Sequence, residues 1–86
     1  MAKGLALFVT EWGTCDSSGN GGLDFVESQK WIDFINQHAL SWCNWSLNDK
    51  RESASALEPG TTVDGPPKAD DLTPSGKFVY QHLIKP

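Results

Sequence analysis

One carboxylate stands out by its position. Val9-Thr10-Glu11-Trp12-Gly13 sets an acidic side chain where an apolar run opens into a glycine-rich segment. Held at an exposed rim, such a group can attack, accept a proton or bind a polar ligand; inside the core behind it, the charge would be costly. The commonest use of a lone glutamate there is still a solvated residue that opens a loop. Trp45 closes a second apolar segment, and Asp49-Lys50-Arg51-Glu52 follows as a charged run that, by itself, reads as solvated. Four tryptophans in 86 residues could form a core, a sugar platform or both.

Other chemistries find little support. His38 and His82 have no metal-ligand spacing and read as surface or cap residues. No Ser-His-Asp or Cys-His set can be argued, and Gly19-Asn20-Gly21-Gly22 lacks the context of a phosphate loop. No cofactor is implied. Cys15 and Cys43 make neither a disulfide framework nor a metal site. Free thiols are expected, with a bridge left open because both follow segments that read as neighbouring strands. Eleven acidic against seven basic residues give a net charge of −4, with no basic stripe for a nucleic-acid backbone. No apolar run approaches the ~20 residues that span a bilayer. Met1-Ala2-Lys3-Gly4 carries no signal-peptide pattern and leads almost directly into an apolar strand, as in a piece of something longer.

These residues need elements to position them. Leu5-Ala6-Leu7-Phe8-Val9-Thr10 is a continuous apolar run that reads as a parallel strand buried on both faces. Residues 13–22 are rich in Gly, Ser, Asn and Asp, which predicts a loop. Asp24 is a helix N-cap with Glu27 placed for a capping box, and the helix runs to about His38 with Trp31, Ile32, Phe34 and Ile35 on its apolar face. Leu40 to Ser46 is a second strand, with Trp45 and Cys43 on one face and Trp42 and Asn44 on the other. Residues 47–72 turn polar and lack periodicity, which predicts a functional or loosely ordered loop. Thr73-Pro74 starts a terminal helix that would bury Phe78, Val79, Leu83 and Ile84. The order strand–helix–strand–helix makes a βαβ unit of a parallel sheet. Two parallel strands alone leave open edges and an uncovered face. A chain of this length buries only roughly 60% of its unfolded surface in any case.

Four blocks carry more information together than separately. Phe8-Val9-Thr10-Glu11-Trp12-Gly13-Thr14, Trp31-Ile32-Asp33-Phe34, Ser41-Trp42-Cys43-Asn44-Trp45-Ser46-Leu47 and Leu72-Thr73-Pro74-Ser75-Gly76-Lys77-Phe78-Val79 recur in this order in bacterial family 5 endoglucanases, and the chain resembles that family over essentially its whole length. The resemblance implies an α/β fold: residues 1–86 as a partial TIM (β/α)8 barrel, the seventh and eighth strand–helix units at its C-terminal end. It implies retaining hydrolysis of β-1,4-glucan by the parent cellulase, with Glu11 similar to the nucleophile that forms a glycosyl-enzyme. The acid/base glutamate of the family follows an earlier strand, in a segment this chain does not contain. Trp45 resembles the sugar platform beside the scissile bond, where a flat indole suits the apolar face of glucose. Residues matching Lys50 and Glu52 bind glucose hydroxyls one unit further out. Trp12 is expected to pack beneath the site, and Trp31 and Trp42 to lie in the core. A secreted parent enzyme is implied too. One departure stands in the long loop, where Asp64-Gly65-Pro66-Pro67 replaces the family's Gly-Gly-Trp. Two further readings suit a chain with half a carboxylate pair: a sugar-binding piece without turnover, and a partial barrel that self-associates to cover its edges.

Overall fold

A computed structural model describes residues 4–61 and 67–84. Its elements follow the expected order: β1 (Phe8–Trp12), α1 (Phe25–Gln37), β2 (Ser41–Asn44), a single 3₁₀ turn (Ala69–Asp71) and α2 (Pro74–Ile84). β1 and β2 pair in parallel as an open two-stranded sheet, with Phe8 opposite Ser41, Val9 opposite Trp42 and Trp12 opposite Asn44. The unit is a small α/β fold.

The register fixes the bounds of β1. Its partner is only four residues long, so the ladder starts at Phe8 rather than Leu5 and extends through Glu11 and Trp12. Between Val9 and Trp12 the pairing slips, because three steps along β1 match two along β2 from Trp42 to Asn44. That is a bulge, a device that bends a strand and re-aims a side chain. It falls on the residues flanking and including Glu11.

α1 is held at both ends. The Asp24 carboxylate accepts from the Glu27 N–H at 2.9 Å. The capping box is completed differently from the expectation: the Asp24 N–H donates to the Thr14 carbonyl at 2.8 Å, and Glu27 instead pairs with Lys30 at 3.8 Å. At the other end Ala39 takes the left-handed conformation, φ 51°. Its N–H donates to the Asn36 carbonyl and that of Leu40 to the Ile35 carbonyl, a Schellman closure with alanine where glycine is usual. α2 begins as predicted, with the Thr73 hydroxyl accepting from the Gly76 N–H at 3.0 Å.

The core corrects three expectations. Ile32 and Ile35 of α1 are buried, each 1% exposed, but Trp31, expected inside, is 54% exposed and Phe34 lies exposed beside it. β1 is not covered on both faces, since Phe8 and Thr10 are exposed. On α2 Val79 is buried and Phe78 half-buried against a stacked Phe25, 5.1 Å between ring centres, whereas Leu83 is 61% exposed. One cause serves all three: a two-stranded sheet with two helices has too few layers to cover every apolar face.

The long loop supplies the rest of the core. Ala54, Ser55, Ala56 and Leu57 are all buried. Their small side chains bring backbone close to backbone, and hydrogen bonds tie the segment on both sides: Ala54 N–H to Gly19 carbonyl (2.9 Å), Ala56 N–H to Ser46 carbonyl (3.1 Å) and Thr73 N–H to Ala56 carbonyl (3.0 Å). Leu57 also bridges antiparallel to Leu72. This part of the loop is therefore well ordered. Of the segment that departs from the family pattern, Asp64, Gly65 and Pro66 lie outside the described residues, and Pro67 is exposed.

Candidate active site

The C-terminal ends of β1 and β2 are laced together. The Trp45 N–H donates to the Trp12 carbonyl at 2.7 Å, and the Asn44 side-chain amide donates to the same oxygen at 3.2 Å. Parallel strands joined at this end carry Glu11 and Trp45 to one lip. Glu11 is exposed on the bulge, and Trp45 leaves 48% of its surface open just beyond β2. The peptide bond from Trp45 to Ser46 is cis. Beneath them Trp12 packs edge-on against Trp42, ring centres 5.5 Å apart, with its indole nitrogen buried and, among the described residues, without an acceptor.

Lys50 and Glu52 reach the same place through Asn48. Its side-chain oxygen accepts from the Lys50 N–H (2.9 Å) and from the buried Ser55 hydroxyl (2.6 Å), while its amide donates to Ser46. The Glu52 N–H then closes on the Lys50 carbonyl at 2.8 Å. The Glu52 carboxylate lies across buried Gly19, where a β-carbon would touch it at 3.6 Å and where φ is +79°. A glycine is favoured at this turn by its positive φ, while the 3.6 Å approach is ordinary packing.

Glu11, Trp45, Lys50 and Glu52 thus line one cavity of about 370 Å³, with Trp12, Cys15, Asp16 and Ser17 also in its wall. All four residues singled out from the sequence come together. Trp12 both packs below and touches the cavity. Three carboxylates face one ammonium there, a negative setting suited to neutral hydroxylated ligands and to positive charge that develops during a reaction. Asp16 accepts from the Ser18 hydroxyl at 2.5 Å and the Ser18 N–H at 3.0 Å. These bonds, the hydroxyl first, hold its carboxyl below the ordinary 3.8. Asp16 is therefore a poor proton donor. Among the described residues, no opposite charge lies within ion-pair distance of Lys50, Arg51 or Glu52, so their donors and acceptors remain open to a ligand.

A model of the cellulase family, glycosyl hydrolase family 5, matches residues 1–51, more than half of the chain. The chain belongs to glycosyl hydrolase family 5. Endoglucanase N of Pectobacterium atrosepticum is 51% identical over 83 residues, which cover 96% of this chain and 19% of that enzyme. A thermostable, halotolerant family 5 cellulase from an Icelandic hot spring isolate superposes with a TM-score of 0.90 at 38% identity, covering 98% of this chain and 27% of that one. The catalytic domain of Thermobifida fusca endoglucanase Cel5A, solved with cellotetraose, superposes with a TM-score of 0.83 at 32% identity, covering 90% and 26%. The chain spans only about a fifth to a quarter of the lengths of these relatives.

Within this family 5 chain, sequence reasoning missed the residues that hold the cavity open. Asp16 and Ser18 read as plain loop, although Asp-x-Ser before a glycine is the pattern of an Asx turn. Asn48 had only its place after the second strand to mark it. Thr14 and Ser75, each 1% exposed, share a hydrogen bond of 2.7 Å that pins the loop after β1 to α2, across 61 residues of sequence. No local pattern points to such a pair. Cys15 and Cys43 are free thiols. His38 caps α1 with its ring against Phe34, and His82 rests on Phe78, so both histidines are accounted for by their helices.

Proposed function

We infer that this chain is the nucleophile-bearing part of an endo-β-1,4-glucanase, formed by the seventh and eighth strand–helix units of a (β/α)8 barrel. In this reading Glu11 attacks the anomeric carbon, and the resulting glycosyl-enzyme is hydrolysed with retention. The proton donor is a second carboxyl about 5–5.5 Å away, contributed by an earlier strand of the barrel. Trp45 stacks on the sugar beside the scissile bond, and Lys50 and Glu52 bond hydroxyls one unit further along the β-1,4-glucan chain. The parent enzyme acts outside the cell, where its polymer lies. The observation that carries the proposal is the convergence of these four side chains on one cavity at the C-terminal ends of parallel strands, the rim where barrel enzymes place their chemistry.

A chimera tests it. This chain is grafted in place of the matching segment of endoglucanase N and assayed on soluble cellulose. Hydrolysis is expected from the chimera and not from the 86-residue chain alone. Glu11→Gln is expected to lower the chimera's turnover by at least about a thousandfold, as loss of an essential nucleophile does. Full activity in the Gln variant would refute the role of Glu11.

By itself the chain carries an apolar hollow of about 770 Å³, lined by Trp42, Leu47, Leu72, Val79, Tyr80 and Leu83. That face supports the second proposal, that the isolated chain self-associates to cover it.

A further inference from the structure

One oxygen at the lip takes two donors. The Trp12 carbonyl accepts from the Trp45 N–H at 2.7 Å and from the Asn44 side-chain amide at 3.2 Å, so the residue after Glu11 is tied to the residue that carries the exposed indole and to the one before it. The partner fixes the orientation of the amide: a carbonyl only accepts, so the nitrogen of Asn44 must face it. The bond falls where the ladder is irregular. Thr10 and Glu11 together oppose the single residue Cys43, and pairing resumes with Trp12 opposite Asn44. Asn44 is half-buried and lines the apolar hollow beside Trp42 and Leu47, a setting that strengthens its bond by limiting competition from water.

We propose that Asn44 is a positioning residue for the hydrolysis: by clamping the Trp12 carbonyl, it holds Glu11 at attacking distance from the sugar seated on Trp45. This role rests on the endoglucanase reading of the cavity and adds a residue that stands outside the cavity wall. Asn44 lies on the Trp42 face of β2, opposite to Trp45, and therefore acts through Trp12 rather than on the substrate. A bulge bends its strand and re-aims the side chains beside it, so the point at which pairing resumes decides where Glu11 looks. At that point a carbonyl has two lone pairs, and both are engaged. The backbone donor sets the spacing of the strands. The side-chain donor, arriving from a second direction, restrains the peptide plane against rotation. Attack on an anomeric carbon is sensitive to such placement, since about 1 Å of error costs roughly a hundredfold in rate.

The test uses the chimera with endoglucanase N, assayed on soluble cellulose and on a dinitrophenyl cellobioside. The dinitrophenolate departs without a proton from the second carboxyl, so its release reads the attack of Glu11 alone. Asn44→Leu removes the donor, and Asn44→Asp removes it at neutral pH while keeping the shape. Rates are divided by the folded fraction read from circular dichroism. Both variants are expected to lower kcat and dinitrophenolate release roughly tenfold, between the ~fivefold of one lost hydrogen bond and the ~hundredfold of a misplaced group, with KM changed less than about twofold. A fall in kcat at constant KM marks an interaction that serves the transition state rather than binding. Unchanged rates in both variants, with Glu11→Gln inactive, would overturn the role of Asn44 alone. So would a rise in KM at constant kcat, or a loss that vanishes once corrected for folding. A loss confined to one variant would also overturn it, because charge or packing rather than the missing donor would then be the cause. An inactive parent chimera, or full activity in Glu11→Gln, would instead bring down the reading of the cavity on which Asn44 depends.

Discussion

Gly76 offers the sharpest test of how α2 is seated. The residue is buried in the first turn of the helix, and a β-carbon built on it would run into the backbone carbonyl of Ala56. That oxygen is already the acceptor of the Thr73 N–H at 3.0 Å. In Gly76→Ala the clash is with backbone rather than with a flexible side-chain end, so relief requires the 54–57 segment to move. Overpacking of this kind costs roughly 1–3 kcal/mol. Loosening the Thr73 bond adds about 1 kcal/mol. Better helix propensity returns about 1 kcal/mol. The net destabilisation is about 2 kcal/mol, which for a chain of this size lowers Tm by roughly 8–16 °C. Thermal and urea unfolding followed by circular dichroism measure it. The displaced segment also carries Ser55, the partner of Asn48, so the glucan binding proposed at Lys50 and Glu52 should weaken in the same variant. A Gly76→Ala chain about 1 kcal/mol more stable than the parent would show that propensity decides, and the close approach of Ala56 would be refuted.

The opposite exchange should have the opposite sign at Ala39. Its left-handed φ costs roughly 1–2 kcal/mol for a non-glycine residue, and the extra freedom of an unfolded glycine returns roughly 0.4–1 kcal/mol of that. Ala39→Gly should therefore stabilise by about 0.5–1 kcal/mol, read from the urea midpoint; a loss would contradict the Schellman closure. Asp16 should titrate below the ordinary 3.8, and Ser18→Ala should raise it towards that value in carboxyl NMR. Because the folded pKa is depressed, the stability it contributes is present above the ordinary value and fades as pH falls through the folded one. Equal titration in both chains would remove Ser18 as the cause. Light scattering should show assembly that grows with concentration and retreats in Leu47→Lys/Leu83→Lys, since both leucines are exposed around the apolar hollow; a monomer at all concentrations would refute self-association.

Much of the architecture was legible because local signals agreed. Asp24, Thr73 and Pro74 are cap residues whose chemistry acts within one turn, and the helices start where they dictate. The alternation from Trp42 to Trp45 was legible for the same reason, since pleating alone sets it. Burial was less so. Trp31 looks like a core residue because its neighbours Ile32 and Ile35 are, but whether a helix face is covered depends on layers that no local pattern encodes. The stretch from Ala54 to Leu57 failed in the other direction: small residues without periodicity gave no sign that backbone bonds from Gly19, Ser46 and Thr73 would draw them inside. Around the cavity that they line, Glu11, Trp45, Lys50 and Glu52 were singled out through their surrounding words. Asn48 and the Thr14–Ser75 pair were not, because their importance arises only from contacts between distant segments.

The bulge in β1 makes the aim of Glu11 a matter of local bend. An extra residue in one strand of a pair bends that strand and re-aims the side chains beside it. Removing Thr10 would leave every residue type at the lip intact and set Glu11 opposite Cys43 and Trp12 opposite Asn44, yet take out the bend on which the carboxylate now sits. At this lip, substitutions change what the group is, but an insertion or deletion of one residue changes where it looks.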